Sequence, residues 1–218
     1  MTKSPRRTYR SDLRTEQAAA TRRRILAAAG ECFAEDGYGR TTLVAIAGRA
    51  GVSVESVKAQ GAKRDLLLAA FEQTFSGQEG GQPLVEQDQL TAAYAIEDDD
   101  EFIDTGAAIL ATANRRAYAL WRALNSAADS DPEIAPVLEG VLARRRSDIE
   151  SGVKLIQRRG LLPTGVRMRR RVAAQLSFLL SPEGYQQLVA ESGWSHPQYL
   201  AWIRTMVRTV LIESGGGR

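Results

Sequence analysis

The twenty residues from Thr42 to Gly61, TLVAIAGRAGVSVESVKAQG, constrain this chain more than any other stretch. They read as two short helices joined by a tight turn. Ala47 is small, so a second helix can cross close to the first. Gly51 lies four residues on, where the chain must turn sharply and a positive φ is easiest without a Cβ. Val57, six residues further, supplies an apolar plug from the second helix, and Ile46, Ala50 and Val52 fill the same small interface. The spacing predicts a helix-turn-helix whose second helix enters the major groove of duplex DNA. A plain αα-hairpin with no nucleic-acid role is the other reading of that spacing.

Charge separates the two readings. Residues 1–64 carry 13 Lys plus Arg against 6 Asp plus Glu, and the remainder 16 against 20, within a net charge of +3. The basic excess therefore travels with the turn unit, and the rest of the chain is mildly acidic. That asymmetry is the expected footprint of a nucleic-acid module joined to a module with another task. A basic tail explains Lys3, Arg6, Arg7, Arg10 and Arg14. It does not explain Arg49, Lys58, Lys63 and Arg64, which flank or lie within the turn unit.

The 218 residues suffice for a small domain plus a larger one. The single cysteine, Cys32, rules out an intrachain disulfide and falls on an apolar helical stripe, where it reads as a small buried hydrophobe. With Cys32 and one histidine, His196, a Cys/His zinc site is not expected, and no cofactor is. No run of 18 apolar residues occurs and no signal-peptide core follows the basic N-terminus, so the expected location is the cytoplasm, without a membrane partner.

Periodicity predicts an all-α chain. Residues 1–14 read as a flexible basic arm. A first helix runs over Glu16–Asp36, with Thr15 as cap, Gly37 as stop and Ile25, Leu26, Ala29, Cys32 and Phe33 on one face. Thr42 caps the second helix, Ser53 the third, and a fourth spans Lys63–Phe75. Residues 15–75 thus make a compact head. Residues 76–97 read as an irregular linker, because Ser76–Pro83 is rich in helix breakers. Residues 98–218 form a second, larger helical module. It opens with a long helix near Asp98, continues with one capped at Asp131 and ending at Gly160, then one around Val172–Leu180, then Ser181–Glu191. A final helix follows a Ser195-x-x-Gln198 capping box. That last helix is apolar around more than half its girth, which suits a flank covered by a second subunit.

From Thr21 to Phe75 the chain resembles the TetR family of transcriptional regulators. The likeness rests on Phe33-Ala-Glu-Asp-Gly-Tyr38, Thr41-Thr42, Ile46-Ala47, Ala50-Gly51-Val52-Ser53 and Lys63-Arg64-Asp65-Leu66-Leu67. Leu180–Tyr185 and Gly193–Ser195 resemble one branch of that family. The resemblance implies a homodimer joined through the last two helices and a C-terminal core whose small effector alters DNA affinity; two recognition helices related by a two-fold axis would read a palindromic double-stranded operator. One departure stands out: the family's aromatic cluster at the end of the recognition helix is replaced here by Lys58-Ala59-Gln60-Gly61.

The expected DNA contacts are Thr42, Ser53, Val54, Glu55, Ser56, Lys58, Gln60, Lys63 and Arg64. Glu55 suits a cytosine amino group, Val54 a thymine methyl, Gln60 an adenine and Lys58 a guanine or a phosphate. Thr42, Lys63 and Arg64 suit phosphates. The resemblance also places the region of Arg22 and Arg23 near DNA. Phe102, Tyr118, Trp121, Leu142 and Phe178 are the aromatic and apolar candidates for an effector pocket between helices. No phosphate-loop, H-E-x-x-H or G-x-S-x-G motif is present, and Asp98–Glu101 suits a helix N-terminus better than a metal, so no enzyme is expected. A helical-bundle enzyme and a degenerate helix-turn-helix scaffold are the alternatives.

Overall fold

The computed structural model describes residues 6–80 and 88–216. Every regular element among them is helical. Helices α1 (Arg6–Arg40), α2 (Leu43–Ala50), α3 (Val54–Lys58) and α4 (Lys63–Ser76) form a head. Helices α5 (Asp88–Tyr94), α6 (Asp99–Ser130), α7 (Ala135–Arg158), α8 (Val166–Leu179), α9 (Pro182–Tyr185) and α10 (His196–Leu211) form the body. No helix among the described residues is long and apolar enough to cross a membrane.

The caps are where side-chain chemistry demands them. Thr42 accepts from Ala45 N at 3.1 Å and Ser53 from Ser56 N at 3.1 Å. Asp98 accepts from Glu101 N at 2.7 Å, so the acidic run opens α6. The neighbouring acids are matched by arginines, Asp99 with Arg159 at 2.8 Å and Asp100 with Arg208 at 3.2 Å. Ser195 and Gln198 cap α10 reciprocally, with Ser195 N donating to Gln198 Oε1 at 2.8 Å.

Several boundaries differ from the sequence reading. Helix α1 runs back through Thr15 to Arg6, into the stretch read as an arm. The residues from Arg6 to Ala29 include no Gly or Pro, so nothing interrupts the helix there. Gly37, at φ 77°, breaks the helical backbone at the expected stop. Beyond it the buried Thr41 hydroxyl donates to Gly37 O at 2.8 Å and lies 3.1 Å from Cys32 O. Asp131 does not cap α7. Its carboxylate accepts from Glu133 N at 2.9 Å, which closes a turn, and Pro136 takes the first-turn place four residues later than expected. After α9 the backbone widens to π spacing over Gln186–Glu191. Helix α5 lies inside the segment read as linker. Parts of the arm, linker and C-terminal readings (residues 1–5, 81–87 and 217–218) fall outside the described residues.

Two apolar cores result, and α6 serves both. Its second half contributes Leu120, Trp121 and Leu124 to a core with Ile25, Leu26 and Phe33 of α1, Ile46 of α2, Val57 of α3, and Leu66, Leu67 and Phe71 of α4. Its first half contributes Phe102, Ile103, Ala107 and Ala111 to a core with Val153 and Ile156 of α7, Val172 and Leu176 of α8, and Tyr199, Ile203 and Val207 of α10. At 1.5 Å per residue its 32 residues extend about 48 Å, enough to run from one core to the other.

Candidate nucleic-acid interface and effector cavity

The turn between α2 and α3 is fixed by backbone geometry. Gly51 sits in the left-handed region at φ 64° and ψ 40°. Its N–H donates to Gly48 O at 3.3 Å, and Val52 N donates to Ala47 O at 3.1 Å, which satisfies the last carbonyls of α2. Ile46, Ala47, Ala50 and Val57 are buried beneath the turn, as the spacing predicts. Helix α3 is thereby pressed on the head by one face. Its other face leaves Ser53, Glu55 and Lys58 exposed and Ser56 half-buried, with Thr42 exposed at the start of α2, whereas Val54 is half-buried against the head core. The Ser53 and Ser56 hydroxyls lie 2.9 Å apart. The Lys58 ammonium has no partner among the described residues.

The other expected contacts are engaged inside the molecule. Lys63 donates to Tyr38 O at 2.7 Å and Thr41 O at 3.1 Å, with its ammonium 4.2 Å from the centre of the Tyr38 ring. It ties the end of α1 to α4 and is half-buried, with two of its three ammonium donors taken by these carbonyls. Arg64 pairs with Glu133, in the turn between α6 and α7. Gln60 accepts from Arg22 Nη1 through both its backbone and its side-chain oxygen, at 3.0 and 3.1 Å. Arg49 pairs with Glu35 at 2.6 Å, which holds the Glu35 carboxyl below its usual range and raises the guanidinium in turn. Sequence separation hides these partners, because each lies 14 or more residues away in the chain.

The five pocket candidates do not meet in one place. Phe102 lines a cavity of about 110 Å³ between α5, α6, α7, α8 and α10, and it does so without the other four. Tyr118 stands against Tyr185, with ring centres 5.4 Å apart. Trp121 is buried in the head core and donates its indole N–H to Glu183 at 2.9 Å. Leu142 packs on that same core, and Phe178 is 77% exposed on the outer face of α8. An apolar helical stripe marks burial but not which core receives it, and α6 feeds two. The cavity walls include Tyr94, Leu110, Ile149 and Val153. Its hollow has a simple cause in two missing side chains. Gly106 on α6 and Gly152 on α7 both line it, and a Cβ at either would meet nothing within 4 Å. Two glycines inside long helices were the sequence signal for it. Burial and the nearby Asp148 push the Tyr94 phenol up at the cavity wall. Among the described residues no group of His, Cys, Asp or Glu could hold a metal ion.

A capped helix-turn-helix seated on a wholly helical body is an arrangement suited to a DNA-binding regulator. Residues 25–70 match the family model described as bacterial regulatory proteins, tetR family. No curated protein matches the chain. Among solved structures it is similar to one assigned as a TetR-family transcriptional regulator from Mesorhizobium loti MAFF303099. The TM-score is 0.68 at 21% identity over 90% of this chain and 97% of that one. It is also similar to a transcriptional regulator from Saccharomonospora viridis in complex with choline, with TM-score 0.63 at 21% identity over 87% and 96% of the two chains. A third likeness is to SmeT in a complex with triclosan, with TM-score 0.61 at 19% identity over 91% and 95%. These likenesses are of fold. The head thus matches the TetR-family model over residues 25–70, and the full length of the chain has the fold of those structures.

Proposed function

We propose that this chain is a cytoplasmic repressor that binds a palindromic operator as a homodimer and loosens its grip when a small effector fills the α5–α8 and α10 cavity. The observation that carries this reading is the outward face of α3. A helix pinned through Val54 and Val57 leaves Ser53, Glu55 and Lys58 exposed and Ser56 half-buried, with Thr42 exposed at the start of α2. Glu55 there suits a cytosine amino group and Lys58 a guanine or phosphate. A helix of five residues reaches few base pairs, so two copies are needed for a specific site. The surface for the second copy is the outer flank of α8 and α10. It offers the exposed Phe178 and half-buried Trp202, Met206 and Val210, with Ala174, Ala201 and Thr205 small enough for close crossing. The cavity is walled almost wholly by apolar side chains, which favours a mainly apolar effector carrying an acceptor for Tyr94. Structures of the same fold hold choline and triclosan, both small organic molecules.

Selection of duplexes from a random pool by the purified chain, followed by sedimentation of the complex, tests the reading. The expected outcome is an inverted repeat with half-site centres about 34–36 Å apart and two chains per site. A strictly monomeric chain with no preference among duplexes at low salt would overturn it.

A further inference from the structure

The end of the recognition helix hangs on one guanidinium. Helix α3 has five residues, little more than one turn, and a helix that short does not hold itself. Past Lys58 the chain reaches Gly61 at φ 133°, with no side chain to anchor it. What grips this end is Arg22 of α1. Its Nη1 donates to both oxygens of Gln60, while its Nε and Nη2 engage the Glu79 carboxylate at 2.6 to 3.0 Å. A planar fork with five donors can hold two such acceptors at once, which a lysine cannot. Gln60 passes the constraint back into the helix through Nε2 to Ser56 O at 3.4 Å. Glu79 is itself anchored. The next residue, Gly80, donates its N–H to Glu72 Oε2 at 2.9 Å, and the other Glu72 oxygen accepts from Arg144 of α7 at 2.7 Å. The path from α7 to the reading helix is therefore continuous and polar.

We propose that Arg22 and Glu79 are positioning residues for DNA recognition. Glu79 fixes Arg22, Arg22 fixes the end of α3, and discrimination among sequences depends on a pair that touches no base. This rests on the DNA-binding reading above. It also assigns Arg22 a role other than phosphate contact, because each of its three nitrogens already bonds within the protein.

The test uses the full chain, the duplex selected by the wild type, and a scrambled duplex of equal length. Arg22→Lys keeps the charge and loses the fork. Glu79→Gln removes a negative charge near the DNA-facing head, so bulk electrostatics alone would tighten binding to every duplex. Both variants are expected to lower the ratio of operator to scrambled affinity about tenfold, the scale of one charge-assisted hydrogen bond. Their far-UV circular dichroism and thermal midpoints should stay near wild type, and Arg22→Lys should keep the wild-type salt slope on the scrambled duplex. Unchanged ratios in folded variants overturn the proposal. So does an Arg22→Gln variant whose ratio holds while its log–log salt slope falls by about 0.9, since that is the signature of a lost phosphate contact. A wild type with no sequence preference overturns the DNA-binding reading and this proposal together. A wild type that discriminates beside variants that do so equally overturns the proposal alone.

Discussion

Tyr199 is the most deeply committed single residue of the body. It is fully buried in the second core and its hydroxyl lacks a hydrogen bond of good geometry. Burial pushes its phenol up to about 12, and the nearby Asn114 amide offsets only part of that. In the unfolded chain a tyrosine ionises near 10. Between those values the unfolded state has lost a proton that the folded state keeps, so stability falls as pH rises through that window and is intact below it. At about 1.4 kcal/mol per unit, the loss is on the order of 2–3 kcal/mol by the top of the window. Urea unfolding at pH 9 and pH 11.5 checks it: Tyr199→Phe should show a clearly smaller drop between the two than wild type. Residue-scale legibility followed backbone need. Gly51, Thr42 and Ser53 were readable because a turn or a cap admits few side chains. The partners of Lys63 and Arg64 were not, because a cation close in sequence to a DNA-reading unit looks the same whether it faces solvent, the ring of Tyr38 or the carboxylate of Glu133.

At the scale of elements, α6 and α7 carry the cavity in their facing glycines. Gly152→Ala places a methyl in open space and removes the entropic cost of glycine inside a helix. The variant should be more stable by about 0.5–1 kcal/mol, visible as a raised urea midpoint with unchanged m, and should keep operator affinity while narrowing the effector site. A lowered midpoint would mean that the hollow is not open at that point. The sequence made the helices themselves plain, since period and caps agree along most of the chain. It did not reveal which stripe residues line the hollow. Periodicity reports which face is buried, and Phe102, Trp121 and Leu142 all satisfy it while reaching different interiors. The α7 start was misplaced for a local reason, because an Asp-Pro pair suits a turn as well as a cap.

Across the whole molecule, the division into head and body at residues 76–97 is a division of the chain and not of the packing. The head core is completed by Leu120, Trp121 and Leu124, more than forty residues beyond the end of α4, and by Ile134 and Val141 after them. A fragment of residues 1–80 would leave Phe71, Leu67 and Phe33 without the apolar wall that covers them. It is expected to lack a cooperative thermal transition by calorimetry, whereas the full chain unfolds with one. The shared rod of α6 also sets a rule for recombination. A chimera that grafts this reading head onto another regulator's sensing body, spliced at the apparent linker, would pair the head with a foreign helix end. A working graft must carry the far half of α6 along with the head, so the seam belongs in the middle of a helix and not in the loop where a cut looks easiest.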